Sequence, residues 1–282
     1  MSRGTNFSVG WGGRTVLALG YSFLYLPILI LIIFSFNESR LATTWSGFTL
    51  KWYVELFKDD SMLSAAWISL KIAFFAATAA VVLGTLAAMV MTRFKPFRGK
   101  TLFGALITAP LVMPEVVTGL SLLLMFVTLF SPLGMSPKGM GSIWIAHVTF
   151  TMAFVTVVVS SRLADLDKSL EEAAMDLGAN RLKVFFVITL PIIMPALMSG
   201  WLLAFTLSLD DVVISSFVAG PDSTTLPMKI FSSVRLGLNP KINALATLLV
   251  AVVSSAALIG WWIGFREEKR RIRDMQMALQ QG

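Results

Sequence analysis

The chain of 282 residues is 56% hydrophobic and only 14% charged, with a mean hydropathy of +0.78. So apolar a composition excludes a soluble domain of this size and indicates an integral membrane protein. With no cysteine, one histidine and scattered acids, the sequence offers no disulfide framework, no thiolate site and no metal-ligand spacing.

Six apolar runs reach the roughly 20 residues that a bilayer crossing needs. They cover about 16–36, 72–91, 102–130, 143–159, 192–219 and 244–265. The first lacks the short apolar core and small-residue cleavage site of a secretory signal, so it reads as a retained span. After it, residues 50–58 place Trp52, Leu56 and Phe57 on one helical face, as in an interfacial amphipathic helix, with Trp45 and Tyr53 as belt aromatics. Gly99-Lys100-Thr101 imitates the end of a phosphate-binding loop. The pattern requires a glycine where Phe94 stands, and no strand precedes it, so ATP is not expected to bind here. Residues 220–241, with Pro221, Pro227 and Pro240, form either a simple connector or a surface for a partner. No internal repeat or low-complexity stretch divides the chain, and 1–282 is expected to be one domain.

The net charge of +7 takes its meaning from its distribution. Most basic residues precede the first run, follow the sixth, or fill the loops between the second and third and between the fourth and fifth. By the positive-inside rule both termini and those two loops face the cytoplasm. The basic balance is thus a topology signal and not a nucleic-acid footprint.

The long polar run in this oily chain lies in the loop at about 165–191. Ser169 and Glu172 have the spacing of a capping box, which predicts a helix starting at Leu170. Gly178 suits the left-handed residue that ends a helix, and Asn180 suits the cap of the next one at Arg181. Leu170, Ala173, Ala174 and Leu177 share one face; Glu171, Glu172 and Asp176 lie elsewhere. A helix of about two turns does not hold itself together in water, so packing must stabilise it. It docks either on its own bundle or on a protein partner, since an acidic helix suits an anionic leaflet poorly.

Acids inside the runs are the sharper chemical signal. Glu115 lies in the third run and Asp210-Asp211 in the fifth, where a lipid-facing acid would cost about 2.5–3.5 kcal/mol. At 1.5 Å per residue Glu115 is roughly 20 Å from the cytoplasmic start of its run and Asp210 roughly 28 Å from Pro191, which puts both in the outer half. Consecutive residues point about 100° apart, so one of the two aspartates is expected to line a path, and the sequence leaves open which. Pro110 and Pro114 break the third run, and an acid behind a proline at a helix N-terminus is stabilised there anyway. For the aspartates the competing reading is burial against an interhelical donor. Acids converging in a water-reachable cleft would attract a cationic substrate, and Trp201 or Phe205 could add cation–π contact. His147 reads as an interfacial or interhelical hydrogen-bonding residue. No nucleophile–base pair suited to hydrolysis appears, so the chain is not expected to be an enzyme.

Glu172-Ala173-Ala174, then Gly178, then Ile188-x-Leu190-Pro191 resembles the EAA loop of the binding-protein-dependent ABC-importer permeases at every fixed position. The similarity extends to their polyamine branch, putrescine importers above all, through YLPILILIIFSFN, APLVMPEVVTGLSLLL, IWIAHVTF, SSRLADLD, SGWLLAFTLSLDDVVISSFV and TTLPMKIFSSVR. The resemblance implies an all-α integral membrane protein of six transmembrane helices in the bacterial inner membrane. It would form half of a translocation path, with Leu170–Gly178 as the cytoplasmic coupling helix seated in an ATPase groove. It implies as partners a related permease, two ATPase subunits that carry the ATP, and a periplasmic polyamine-binding protein, with no cofactor on this chain. An aspartate often stands in that family where this chain has Glu115, which leaves the dimensions of the pocket open. Putrescine, spermidine or another small cation remain alternatives, and a stand-alone secondary transporter could use the same acids.

Overall fold

The computed structural model describes residues 11–39, 44–236 and 240–280. Apart from an isolated antiparallel bridge between Asn37 and Phe48, every regular element among them is helical. In chain order these are α1 (Trp11–Phe34), α2 (Lys51–Phe57), α3 (Asp60–Arg93), α4 (Lys100–Val112), α5 (Glu115–Phe130), α6 (Met140–Asp165), α7 (Lys168–Asp176), α8 (Arg181–Val184), α9 (Leu190–Asp210), α10 (Val213–Val218), α11 (Leu226–Leu236) and α12 (Pro240–Gln280). A 3-10 turn over Ser131–Leu133 follows α5, and a π turn over Phe185–Thr189 joins α8 to α9. Among the described residues, five stretches are long and apolar enough to cross a membrane: Trp11–Phe34, Asp60–Arg93, Glu115–Leu133, Met140–Asp165 and Arg181–Asp210. The run expected at 244–265 lies within α12, whose described apolar part is Pro240–Ser255.

The helices fall into two compact units, one from Asp60 to Ser232 and the other from the chain on either side of it. In the flanking unit α2 packs its Trp52 and Leu56 into the protein, while Phe57 is exposed. The expected shared face of these three residues is therefore split. The Trp52 indole donates to the Asn37 carbonyl at 2.8 Å, and Ser35 and Tyr53 join their hydroxyls at 2.7 Å. A buried side chain needs its polar atoms paired, and Asn37 meets this by donating to Thr44 O at 2.7 Å and accepting from Ser46 N at 2.9 Å. Lys241, at the start of α12, pairs with Asp59 at 2.9 Å. Further along α12, Arg266 lies over the Trp262 ring at 3.5 Å, as a long basic side chain does when its stem covers apolar surface.

The larger unit is centred on α3, α6 and α9. On α3 the buried Ala73, Ala76, Ala77, Ala80, Gly84, Ala87 and Ala88 recur every three or four residues. Small residues in that pattern let helices approach closely, which is how membrane helices associate without a hydrophobic gradient between them. The approach is tightest at Val155 of α6. A Cβ on Gly84 would stand 2.9 Å from its side chain and 3.1 Å from the Met152 carbonyl, whereas one on Gly200 of α9 would sit in ordinary contact at 3.5 Å.

Two expected spans are interrupted. The third divides into α4 and α5 because Met113 is extended, with ψ 138°, as a residue before proline prefers. Pro114 also has no N–H for the Pro110 carbonyl. Pro110, expected to break the run as well, stays inside α4. The fifth run does not continue to 219: α9 stops at Asp210, Asp211 is extended with ψ 129°, and α10 starts anew.

Candidate functional site

The break after α9 is built around a buried histidine. His147 of α6 is 0% exposed, and its Nε2 lies 3.2 Å from Asp211 Oδ2 and 3.1 Å from Ser215 Oγ, with Nδ1 2.6 Å from Ser208 Oγ. Since the carboxylate can only accept, Nε2 donates to it, and the Ser208 hydroxyl donates to Nδ1. Asp211 further accepts from Ile214 N at 3.1 Å and Ser215 N at 2.7 Å, so it caps the first turn of α10. Sequence reasoning left open which aspartate faces a path. The structure buries Asp211, 8% exposed, inside this network, while its neighbour Asp210 is exposed. The order Ser208, His147, Asp211 imitates a hydrolytic triad, but Ser208 is buried among the helices and has no access to water. His147 is interhelical, as one of its two expected roles.

Asp210 ends an exposed stripe on α9 that runs through Met198, Ser199, Leu202 and Thr206. Trp201 and Phe205 flank it. They stack on each other at 5.2 Å, Phe74 of α3 meets Trp201 edge-on at 5.7 Å, and the Trp201 indole donates to Thr78 at 3.1 Å. Phe205 and Trp201 precede Asp210 by five and nine residues, about 140° and 180° around a helix. On α9 the two aromatics therefore lie at other angles than Asp210, and they make the α3–α9 contact. Glu115 is exposed at the start of α5. One turn further on, Gly119 brings α5 against α10, where an added Cβ would lie 2.7 Å from the Phe217 ring and 3.3 Å from the Ile214 backbone. Glu115 thus starts a helix that packs on α10, the element that follows Asp210 and Asp211 in the chain.

The second candidate site is α7. Its cap is Asp167, whose carboxylate accepts from Ser169 N at 2.9 Å. The helix accordingly starts at Lys168 and not at Leu170, and Ser169 lies inside the first turn and makes no capping box with Glu172. The Ser169 N–H, and after it the Ser169 hydroxyl, hold the Asp167 carboxyl below its ordinary value. Gly178 takes φ +87°, a left-handed conformation suited to glycine, and Asn180 caps α8 by accepting from Lys183 N at 2.8 Å. Leu170 is 48% and Leu177 90% exposed; Glu172, Ala173 and Asp176 are exposed too, and Ala174 is partly buried. Glu171 points the other way. It pairs with Arg93 at 3.1 Å and accepts the Thr189 hydroxyl at 2.9 Å. Sequence reasoning set Glu171 with Glu172 and Asp176 off the apolar face and missed Arg93, Thr189, Asp167, Ser208 and Ser215. Asp167, two residues before Ser169, carried a readable cap signal, whereas partners 18 to 78 positions apart carried none.

The architecture is that of solved ABC-transporter chains. A bacterial ABC transporter that imports the acidic polysaccharide alginate superposes with a TM-score of 0.65 at 14% identity, covering 89% of this chain and 93% of that one. The MetNI methionine ABC transporter does so with a TM-score of 0.59 at 14% identity, over 71% and 92%. The fold is thus that of these ABC-transporter chains. Residues 80–271 match the family "Binding-protein-dependent transport system inner membrane component", and the chain belongs to it. Among its relatives, the putrescine transport system permease protein PotI of Escherichia coli (strain K12) is 62% identical over 264 residues, 93% of this chain and 94% of that one. The spermidine/putrescine transport system permease protein PotC of the same strain is 46% identical over 232 residues, 82% and 86%.

Proposed function

We propose that this chain is one of two permease subunits of an ATP-driven polyamine importer, with putrescine as substrate. Asp210 carries the reading. It is an exposed acid at the end of an apolar membrane helix, and an acid in such a helix faces protein or water in preference to lipid. A dication passing there regains in Coulomb attraction part of the hydration it gives up. Glu115, which starts the helix packed on α10, supplies a second charge. The names of the relatives at 62% and 46% identity support a polyamine in particular.

In this reading six spans cross the membrane, the sixth within α12, and both termini and the 165–191 loop are cytoplasmic. A related permease completes the path, a periplasmic binding protein delivers the substrate, and two ATPase subunits bind and hydrolyse ATP. One ATPase subunit seats α7 through Leu170, Ala173 and Leu177. Closure of the ATPase dimer then moves α7 and opens the cleft first to one side and then to the other. The test is uptake of labelled putrescine by proteoliposomes holding the complete complex. Uptake requires ATP and binding protein, and Asp210→Asn lowers it while assembly persists. Uptake at the wild-type rate by Asp210→Asn would remove that residue from the path, and uptake by the purified chain alone on an ion gradient would overturn the importer reading.

A further inference from the structure

No residue of α7 is fully buried, so apolar packing alone does not fasten this nine-residue helix to the rest of the protein. The fastening is polar and passes through Glu171. Arg93, which closes α3, lies on both of its carboxylate oxygens at 3.1 and 3.2 Å. Thr189, which closes the π turn leading into α9, donates its hydroxyl to the same carboxylate at 2.9 Å. Arg93 also donates to the Leu166 carbonyl at 3.4 Å, where α6 gives way to α7. One ion pair therefore joins α7 to the ends of the three helices that form the core of the larger unit.

The pair is withdrawn from water, its side chains only 10% and 15% exposed. Charges so placed persist where each keeps its partners, and removing one partner leaves the other buried and uncompensated. The third partner belongs to a π turn, an interruption of the regular ladder that recurs at functional sites. It lies directly ahead of Pro191, whose ring and missing N–H already disturb the helix there.

We infer that Arg93, Glu171 and Thr189 form the joint through which displacement of α7 becomes displacement of α3 and α9. This rests on the proposed reading of α7 as the ATPase-docking helix. Glu171 acts as a positioning residue facing the membrane bundle, not as part of the docking surface. Removing the joint should leave the ATPase bound and hydrolysing but disconnect hydrolysis from the cleft.

The experiment uses the complete complex in liposomes, with ATP hydrolysis and labelled putrescine uptake measured on the same preparation. Glu171→Gln and Arg93→Gln are expected to retain the ATPase through purification and keep hydrolysis near wild type. Putrescine taken up per ATP is expected to fall about tenfold, within the roughly 5–150-fold range of couplings between sites. Arg93→Lys, which keeps the charge, restores part of it. Thr189→Val, which deletes only a hydroxyl, shows a smaller fall in the same ratio and carries the test if either charge variant fails to insert. Unchanged uptake per ATP in the variants that insert overturns the inference, and so does loss of the ATPase from Glu171→Gln, since that would place Glu171 in the docking face. A wild-type complex that hydrolyses ATP in response to its binding protein but takes up no putrescine would count against the polyamine reading alone. Stimulation of hydrolysis by the binding protein would then read the joint.

Discussion

Two adjacent aspartates with opposite surroundings should separate stability from transport. Asp211→Ala removes the acceptor of two backbone N–H groups and of the His147 ring. Loss of a helix cap costs about 0.5–2 kcal/mol, and a buried donor left without its acceptor costs about 1–3 kcal/mol. Together these give about 1.5–5 kcal/mol, with the lower end favoured because hydrogen bonds between membrane helices average only about 0.6 kcal/mol. Asp210→Asn changes an exposed side chain outside that network, so stability should stay within about 0.5 kcal/mol. Fluorescence-detected size exclusion after a temperature ramp in detergent reads the stability, and putrescine uptake by the assembled complex reads the transport. Asp211→Ala should melt several degrees lower, while Asp210→Asn should melt at the wild-type temperature and lose uptake. Equal melting shifts for the two variants, or a wild-type melting point for Asp211→Ala, would refute the division of roles.

Three further predictions follow from individual contacts. Gly84→Val places atoms at under 3 Å from Val155 and should cost about 1–3 kcal/mol of overpacking, read as a lower melting point, while Gly200→Ala should be nearly silent. Glu172→Lys reverses an exposed charge without touching a cap, so the protein should insert and melt normally while ATPase co-purification fails; normal retention would argue against docking there. The Asp167 carboxyl is depressed by its bond from Ser169 N, so its contribution to α7 is complete above the ordinary value of 3.8 and is lost as pH falls through the lower folded value. Hydrogen exchange at the first amides of α7 should accelerate in Asp167→Ala at neutral pH and, in the wild type, only at pH values below that window.

The elements written as local patterns were legible in the sequence. Apolar runs gave the long helices, Gly178 and Asn180 gave the turn after α7, and the residue before Pro114 gave the break between α4 and α5. Two local patterns pointed to the wrong residue because a nearer competitor won. Ser169 fits a capping box with Glu172, yet Asp167 reaches the first-turn N–H and starts the helix earlier. Pro110 is as strong a breaker as Pro114, but only Pro114 is preceded by an extended residue. The functional geometry was less legible because it depends on phase and on distant partners. Trp201, Phe205 and Asp210 look like a set when written in a line; helical rotation sends the acid to the opposite side from the indole. Neither the choice between Asp210 and Asp211 nor the inward turn of Glu171 can be read without His147, Arg93 and Thr189 in place.

The two helix breaks bear on the proposed cleft through their backbone as well as their charge. A bilayer core offers no hydrogen-bond partners, so irregular backbone at membrane depth is tolerated only where it is buried in protein or lines a water-filled space. After α9 the freed N–H groups of Ile214 and Ser215 are met by Asp211, itself held by a buried histidine, so this break is closed inside the protein and rigid. Between α4 and α5 Pro114 denies the Pro110 carbonyl its donor, and Glu115 beside it is exposed. In the proposed path, water, a partner subunit or a passing cation would meet that carbonyl. The break after α9 is linked to this one through the α5–α10 contact at Gly119. A cation moving past Asp210 would meet at the second break a carboxylate and the carbonyl end of α4, whose dipole is negative. Both attract the same charge, so under the proposed function the α4–α5 break and Asp210 would serve one path.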